Sequence, residues 1–274
     1  MDMLPFTIKI FFTSIFININ NNVFSVIFGK FYSVEQVGIY TQGQKWASMG
    51  NQFIAGMTNS VAQPILVHVN EVKERQVSVL RKLIRFNALL SFPLILGLAF
   101  VGKEFIVITV GEKWLSSVPY LQLFCIWGAF SFLSALYTNL IFTHGKSNVY
   151  MYGSIVTGVL QLLVVFGMYP FGIFPMVIAY LTVNFVGVLI WQYFVHKLVG
   201  LRFLAVLKDI VPYLSVTLCC FAVAWFLTRN IANLYWLFTA KIVISGLLYL
   251  LILKLTDSVM FKESMEFLMK STKK

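Results

Sequence analysis

Acidic residues are scarce in this chain, ten in 274, and none falls inside its long apolar stretches. That placement leaves no pair of membrane carboxylates for acid–base work and no evident ligand for ion coupling. Cysteine is rarer still: Cys125, Cys219 and Cys220 all lie in apolar stretches, with neither metal spacing nor a disulfide framework, and read as small packing residues. The histidines, His68, His144 and His196, do not cluster. With no Ser/His/Asp set and no Gly-rich phosphate loop, catalysis has no candidate residues, and neither a metal nor a cofactor is expected. The opening Met1-Asp2-Met3-Leu4-Pro5 lacks a basic n-region and no A-x-A-like site follows the first apolar run, so a cleaved signal peptide is not expected.

What the chain has in excess is apolar length. Hydrophobic residues make up 59% and charged residues only 11%, too little polar surface for a soluble domain of this size. From Ile84 to Leu255, apolar stretches of roughly twenty residues alternate with brief polar interruptions, each stretch long enough to cross about 30 Å of hydrocarbon as a helix. The fold class is therefore all-α: a polytopic membrane protein of about eight transmembrane helices, near 6–28, 37–67, 84–101, 117–142, 149–169, 173–195, 210–228 and 233–254. The net charge of +11 would suggest nucleic acid in a soluble chain. Here the Lys and Arg residues sit in short connections, so basicity sets topology and no nucleic acid is expected.

Counting Lys and Arg loop by loop gives the orientation. The second, fourth and sixth connections and the tail carry fourteen, including Lys73, Arg75, Arg81, Lys82, Arg85, Lys146, Lys197, Arg202 and Lys208; the alternate connections carry four, Lys30, Lys103, Lys113 and Arg229. The richer set is read as cytoplasmic, which puts both termini in the cytoplasm.

The first two helices break the apolar rule in a pattern. On a 3.6-residue period Gln42, Lys45, Ser48, Gln52, Gly56, Asn59 and Gln63 fall within about 120° of one another, with Ile54, Met57, Val61 and Ile65 opposite. The first helix gathers Thr7, Ser14, Asn18, Asn21, Asn22 and Ser25 on one side. Unpaired amides in hydrocarbon cost several kcal/mol, so neither stripe faces lipid tails. Two readings stand: interhelical hydrogen-bond glue, or the lining of a water-filled cavity. Lys45 favours the cavity, because a cation about eight residues into its helix costs roughly 2.5–3.5 kcal/mol at mid-bilayer unless it meets water or an anion. Lys45, Gln42, Gln52, Asn59, Asn18, Asn21 and Asn22 are accordingly the candidate substrate-binding residues, suited to an anionic, sugar-bearing ligand. Lys9 reads as a snorkelling residue and Lys241 as within reach of the headgroups.

At Gly38-Ile39-Tyr40 followed by Lys45, and at Pro64-Ile65-Leu66 with a basic segment opening the next helix, the chain resembles the start of the C-terminal lobe of Wzx-type polysaccharide flippases, in the multidrug/oligosaccharidyl-lipid/polysaccharide exporter superfamily. Val110-Gly111-Glu112-Lys113-Trp114, with Pro119 and Tyr120-Leu121-Gln122, is similar to that family's Gly-x-x-Trp motif, and Gly145-Lys146 and Phe171-Gly172-Ile173 to its interhelical turns. Order and spacing extend the resemblance over roughly residues 15–200.

The resemblance implies two six-helix lobes around a central, typically cationic cavity, often with two further helices, moving undecaprenyl-diphosphate-linked oligosaccharide across the bacterial inner membrane for O-antigen, exopolysaccharide or capsule synthesis. It divides this chain into a six-helix, C-terminal-lobe-like bundle over 1–200 and two additional helices with a basic cytoplasmic tail over 201–274. Eight helices are what remains of a fourteen-helix member without its first six. The chain is then a fragment, a half-transporter or a split-gene product. Its expected partners are the lipid-linked oligosaccharide, membrane lipids, and a separate N-terminal lobe or a second copy. The competing readings are a multi-pass enzyme acting on lipid-linked sugars and a small-solute exporter of the same superfamily.

Overall fold

A computed structural model of the chain describes residues 3–69 and 72–256; the basic tail lies outside them. Among the described residues there are helices and no strand. The helices are α1 (Met3–Phe31), α2 (Val34–His68), α3 (Lys73–Ser91), α4 (Gly97–Phe100), α5 (Gly102–Val110), α6 (Val118–Thr143), α7 (Ser147–Met168), α8 (Ile173–Val199), α9 (Phe203–Thr228) and α10 (Leu234–Leu255). Six runs are long and apolar enough to cross a membrane: Lys73–Phe100, Glu112–Thr143, Ser147–Phe171, Ile173–Val199, Phe203–Thr228 and Leu234–Leu255. The first two of the eight expected spans exist as helices of 29 and 35 residues but are not among these six. The molecule is an all-α, multi-pass membrane protein.

Short connections make successive long helices antiparallel, so the chain has a basic end and an opposite end, here termed the apex, where α1 turns into α2. Ser33 fixes that turn by a capping box: its hydroxyl accepts from the Gln36 N–H at 3.3 Å while its own N–H donates to Gln36 Oε1 at 3.2 Å. The third helix begins at Lys73, eleven residues before the expected 84, because Gln76, Leu80, Leu83, Ile84 and Asn87 make a buried stripe at helical spacing through the basic segment. Pro93 lacks the N–H a regular helix needs, and a π-helical stretch over Phe92–Leu96 carries the chain past it into α4.

Two of the glycine turns singled out in the sequence have a backbone reason for their glycines. Gly111 and Gly172 adopt φ 97° and 100° with ψ 164° and 167°, a region that residues with a Cβ avoid. After Gly111 the Trp114 N–H donates to the Gly111 carbonyl at 3.1 Å. The Trp114 ring then lies against Gly38 of α2, 3.7 Å from where a Cβ would stand. Two motifs separated by more than seventy residues are thus halves of one contact.

Two ion pairs fasten the last helices to the rest. Asp209 of α9 accepts from Arg81 of α3 at 2.7 and 3.0 Å, with Arg85 Nε 3.2 Å away. Near the other end, Lys241 of α10 does not reach out to the headgroups as expected. It is buried and donates to Glu104 of α5 at 2.7 Å, and its ammonium also lies 5.0 Å from the Phe100 ring centroid. Tyr249 adds a hydrogen bond to the Leu89 carbonyl at 2.9 Å. At the basic end the His144 ring donates to Gln76 Oε1 at 2.9 Å. Burial, with the charges of Lys146 and Lys73, lowers the His144 pKa.

Candidate functional site

α2 has two unlike faces. One is a buried seam at three- and four-residue spacing, Gly43, Ala47, Ile54, Thr58, Ala62 and Leu66, lying along α6. Small residues let the two backbones approach: a Cβ on Gly43 would stand 2.6 Å from the Ser117 carbonyl oxygen and 2.8 Å from the Leu121 nitrogen. The opposite face carries Lys45, Gln52, Gly56, Asn59 and Gln63, all exposed, with Gln42 and Ser48 half-buried at its margins. The expected stripe is therefore the face that α2 does not use for packing.

On that face the Lys45 ammonium stands 5.8 Å from the Trp46 ring centroid. A cation–π contact of this kind is worth about 0.5–1 kcal/mol at an exposed site, too little to satisfy an ammonium outside water. Lys45 keeps its capacity for an anion. Asn59 has a different standing, since Asn139 of α6 donates to its Oδ1 at 2.9 Å. For that residue the glue reading holds in part.

α1 lies along α7 whereas α2 lies along α6. Near the apex the two touch through rings, Phe28 against Tyr40 at 4.6 Å between centroids. On α1, Ser14 and Asn18 are exposed; the side chains of Asn21 and Asn22 lie outside the described residues. The amide that positions α1 is one the stripe does not contain. Buried Asn20 donates to Gln161 of α7, whose Nε2 donates in turn to Asn184 Oδ1 of α8 at 3.2 Å. A signal for this existed in the sequence: an amide alone in an apolar helix, as Gln161 and Asn184 are, must find a partner. Asn87, which hydrogen-bonds Thr58, belongs to the same class.

The comparisons with known proteins agree with the motifs. The family described as polysaccharide biosynthesis protein matches residues 1–119. An uncharacterized membrane protein in the cps region of Klebsiella pneumoniae is 30% identical over 143 residues, 52% of this chain and 30% of that protein. The teichuronic acid biosynthesis protein TuaB of Bacillus subtilis is 29% identical over 135 residues, 48% of this chain and 27% of its own length. The lipopolysaccharide biosynthesis protein WzxC of Escherichia coli is 26% identical over 110 residues, 40% of this chain and 22% of its own length. The matched stretch thus spans less than a third of each of these relatives. No solved structure matches. Residues 1–119, where Gly38, Lys45, Gly111 and Trp114 all lie, are thus similar to the polysaccharide biosynthesis proteins, WzxC of Escherichia coli among them.

Proposed function

We propose that this chain forms one lobe of a flippase that carries a lipid-linked oligosaccharide, with an undecaprenyl diphosphate anchor, across the bacterial inner membrane. Residues 1–200 form the lobe and 201–274 two additional helices with a basic tail. The observation that carries the reading is the polar face of α2: a run of amides and one cation along a helix of 35 residues, turned away from the packing seam. Such a face is costly against lipid tails and favourable against water, an anion or a second polar surface. Lys45 is assigned to the diphosphate and Gln42, Gln52, Asn59, Asn18, Asn21 and Asn22 to the polar wall. A separate six-helix lobe or a second copy supplies the facing wall, as rocking one repeat against another requires.

In proteoliposomes holding the assembled transporter, Lys45→Ala is expected to slow flipping of a fluorescent lipid-linked oligosaccharide about tenfold, the worth of one charge-assisted contact of ~1.5 kcal/mol. Lys254→Ala, on remote α10, should leave the rate unchanged. Full activity in Lys45→Ala, or flipping by this chain as a verified monomer, would overturn the proposal. Export of small cations in place of the lipid would transfer it to a solute exporter.

Orientation is part of the same proposal, with the basic end and both termini cytoplasmic. In a variant without Cys125, Cys219 and Cys220, a single cysteine at Glu74 should resist a membrane-impermeant thiol reagent in intact cells, and one at exposed Phe171 should react. Phe171 serves better than its neighbour Gly172, whose positive φ a cysteine would strain. The reverse labelling pattern would invert the topology.

A further inference from the structure

At the apex, in the crotch where α1 turns into α2, lies a cavity of about 650 Å³. Its rings come from three helices: Phe24 and Phe28 of α1, Tyr40 of α2 and Tyr180 of α8, joined by Tyr32 of the turn. They brace one another. Phe24 meets Tyr180 edge-on at 4.7 Å between centroids, Phe28 meets Tyr40 at 4.6 Å, and Tyr32 meets Phe28 at 5.9 Å. Tyr32 is held further by donating its hydroxyl to the Tyr169 carbonyl. The rings are thus fixed before any ligand arrives, which spares a ligand the entropy of ordering them.

Polar groups share the lining. Gln44 stands one helical turn beyond Tyr40, and its carboxamide, which both donates and accepts, has no hydrogen-bond partner among the described residues. The cavity therefore offers apolar ring faces beside an unused amide. A hydrocarbon chain would cover the rings and leave the amide dry, at a cost. A small anion would gain nothing from the rings. A pyranose ring has an apolar C–H face bounded by hydroxyls, and it answers both features at once.

We infer that this cavity is a saccharide-binding subsite, which takes a sugar ring of the carried oligosaccharide against Phe24, Phe28, Tyr40 and Tyr180 with Gln44 hydrogen-bonded to its hydroxyls. The inference rests on the flippase reading for the identity of the cargo. In the proposed orientation the apex is the outer end, so the subsite receives sugar on the side to which it is delivered. Lys45 follows Gln44 in the chain but is not among the lining residues, and the two sites divide the ligand between them: anchor diphosphate to the cation, sugar to the rings.

Gly29 supplies the test. It lines the cavity, and a Cβ placed on it meets no atom within 4 Å, so Gly29→Leu adds bulk at the lining with room for its first carbon. Leucine also favours helix over glycine, which protects the fold. The full chain in lipid nanodiscs, free of sugar detergents, is probed with two free disaccharides, maltose and chitobiose, by saturation-transfer NMR, and with undecaprenyl diphosphate by thermophoresis. Transfer to at least one disaccharide is expected in the parent chain, at least fivefold weaker in Gly29→Leu and in Gln44→Leu, with undecaprenyl diphosphate binding unchanged in both. Lys45→Ala should do the opposite. Absence of transfer to both sugars, or transfer that survives Gly29→Leu, overturns the subsite. Sugar binding lost in Gly29→Leu while lipid diphosphate binding ignores Lys45→Ala keeps the subsite and overturns the assignment of Lys45.

Discussion

Lys241→Met is expected to destabilise the protein by about 3–5 kcal/mol, because it leaves the Glu104 carboxylate buried without its cation. The carboxylate is already short of partners, since its second oxygen, Oε2, is buried without a hydrogen bond. Removing Lys241 takes away the bond that the first oxygen has. Thermal unfolding of the purified chain in one detergent should show a large fall in Tm for Lys241→Met and a clear recovery in the double variant Glu104→Leu with Lys241→Met. Recovery is the informative arm, because a buried pair replaced by apolar residues of similar volume is often neutral or better. A single variant as stable as the parent would mean that the pair contributes nothing to the docking of α10.

Gly43→Ala should be nearly as damaging, although it adds one methyl group. The new Cβ would meet backbone on the facing helix, with the Ser117 oxygen at 2.6 Å and the Leu121 nitrogen at 2.8 Å, and Tyr120 Cβ at 2.7 Å. Backbone cannot swing aside as a side-chain tip can, so α2 must separate from α6 along the main seam. Overpacking of this sort costs about 1–3 kcal/mol, and more where the neighbours are rigid. Gly56 is the internal control. It lies on the exposed face of the same helix with no atom within 4 Å of a Cβ, and Gly56→Ala should raise stability by roughly 0.5–1 kcal/mol. Tm shifts of the same sign and size in the two variants, read under identical conditions, would show that α2 and α6 do not meet at Gly43.

The positions of the eight long helices were legible because hydropathy is a local property that a window of twenty residues contains. The stripe on α2 was legible for the same reason: Lys45, Gln52, Asn59 and Gln63 recur at helical spacing within one helix. Partnerships across the bundle were not. Glu104 and Lys241 lie 137 positions apart, and each reads alone as a charge near a helix end. Asn20 sits outside the amide stripe of α1, so periodicity set it aside, yet its side chain hydrogen-bonds α7. The extent of α3 was missed because charged residues from Lys73 to Arg85 lower the hydropathy of a segment whose inner face is apolar. The aromatic cavity escaped for a further reason: its rings come from three helices, and in a chain with 16% aromatics no single ring stands out.

The bond from Asn20 to Gln161 also has a history in time. A ribosome adding about 5–20 residues per second needs on the order of ten seconds to pass from one partner to the other. During that interval α1 has been made and α7 has not. An amide in the apolar phase without its partner is costly, so nascent α1 must stay near the insertion machinery, near water, or against a temporary companion until its helix neighbour is synthesised. The helix that begins the described chain thus finds its place only once α7 has been made.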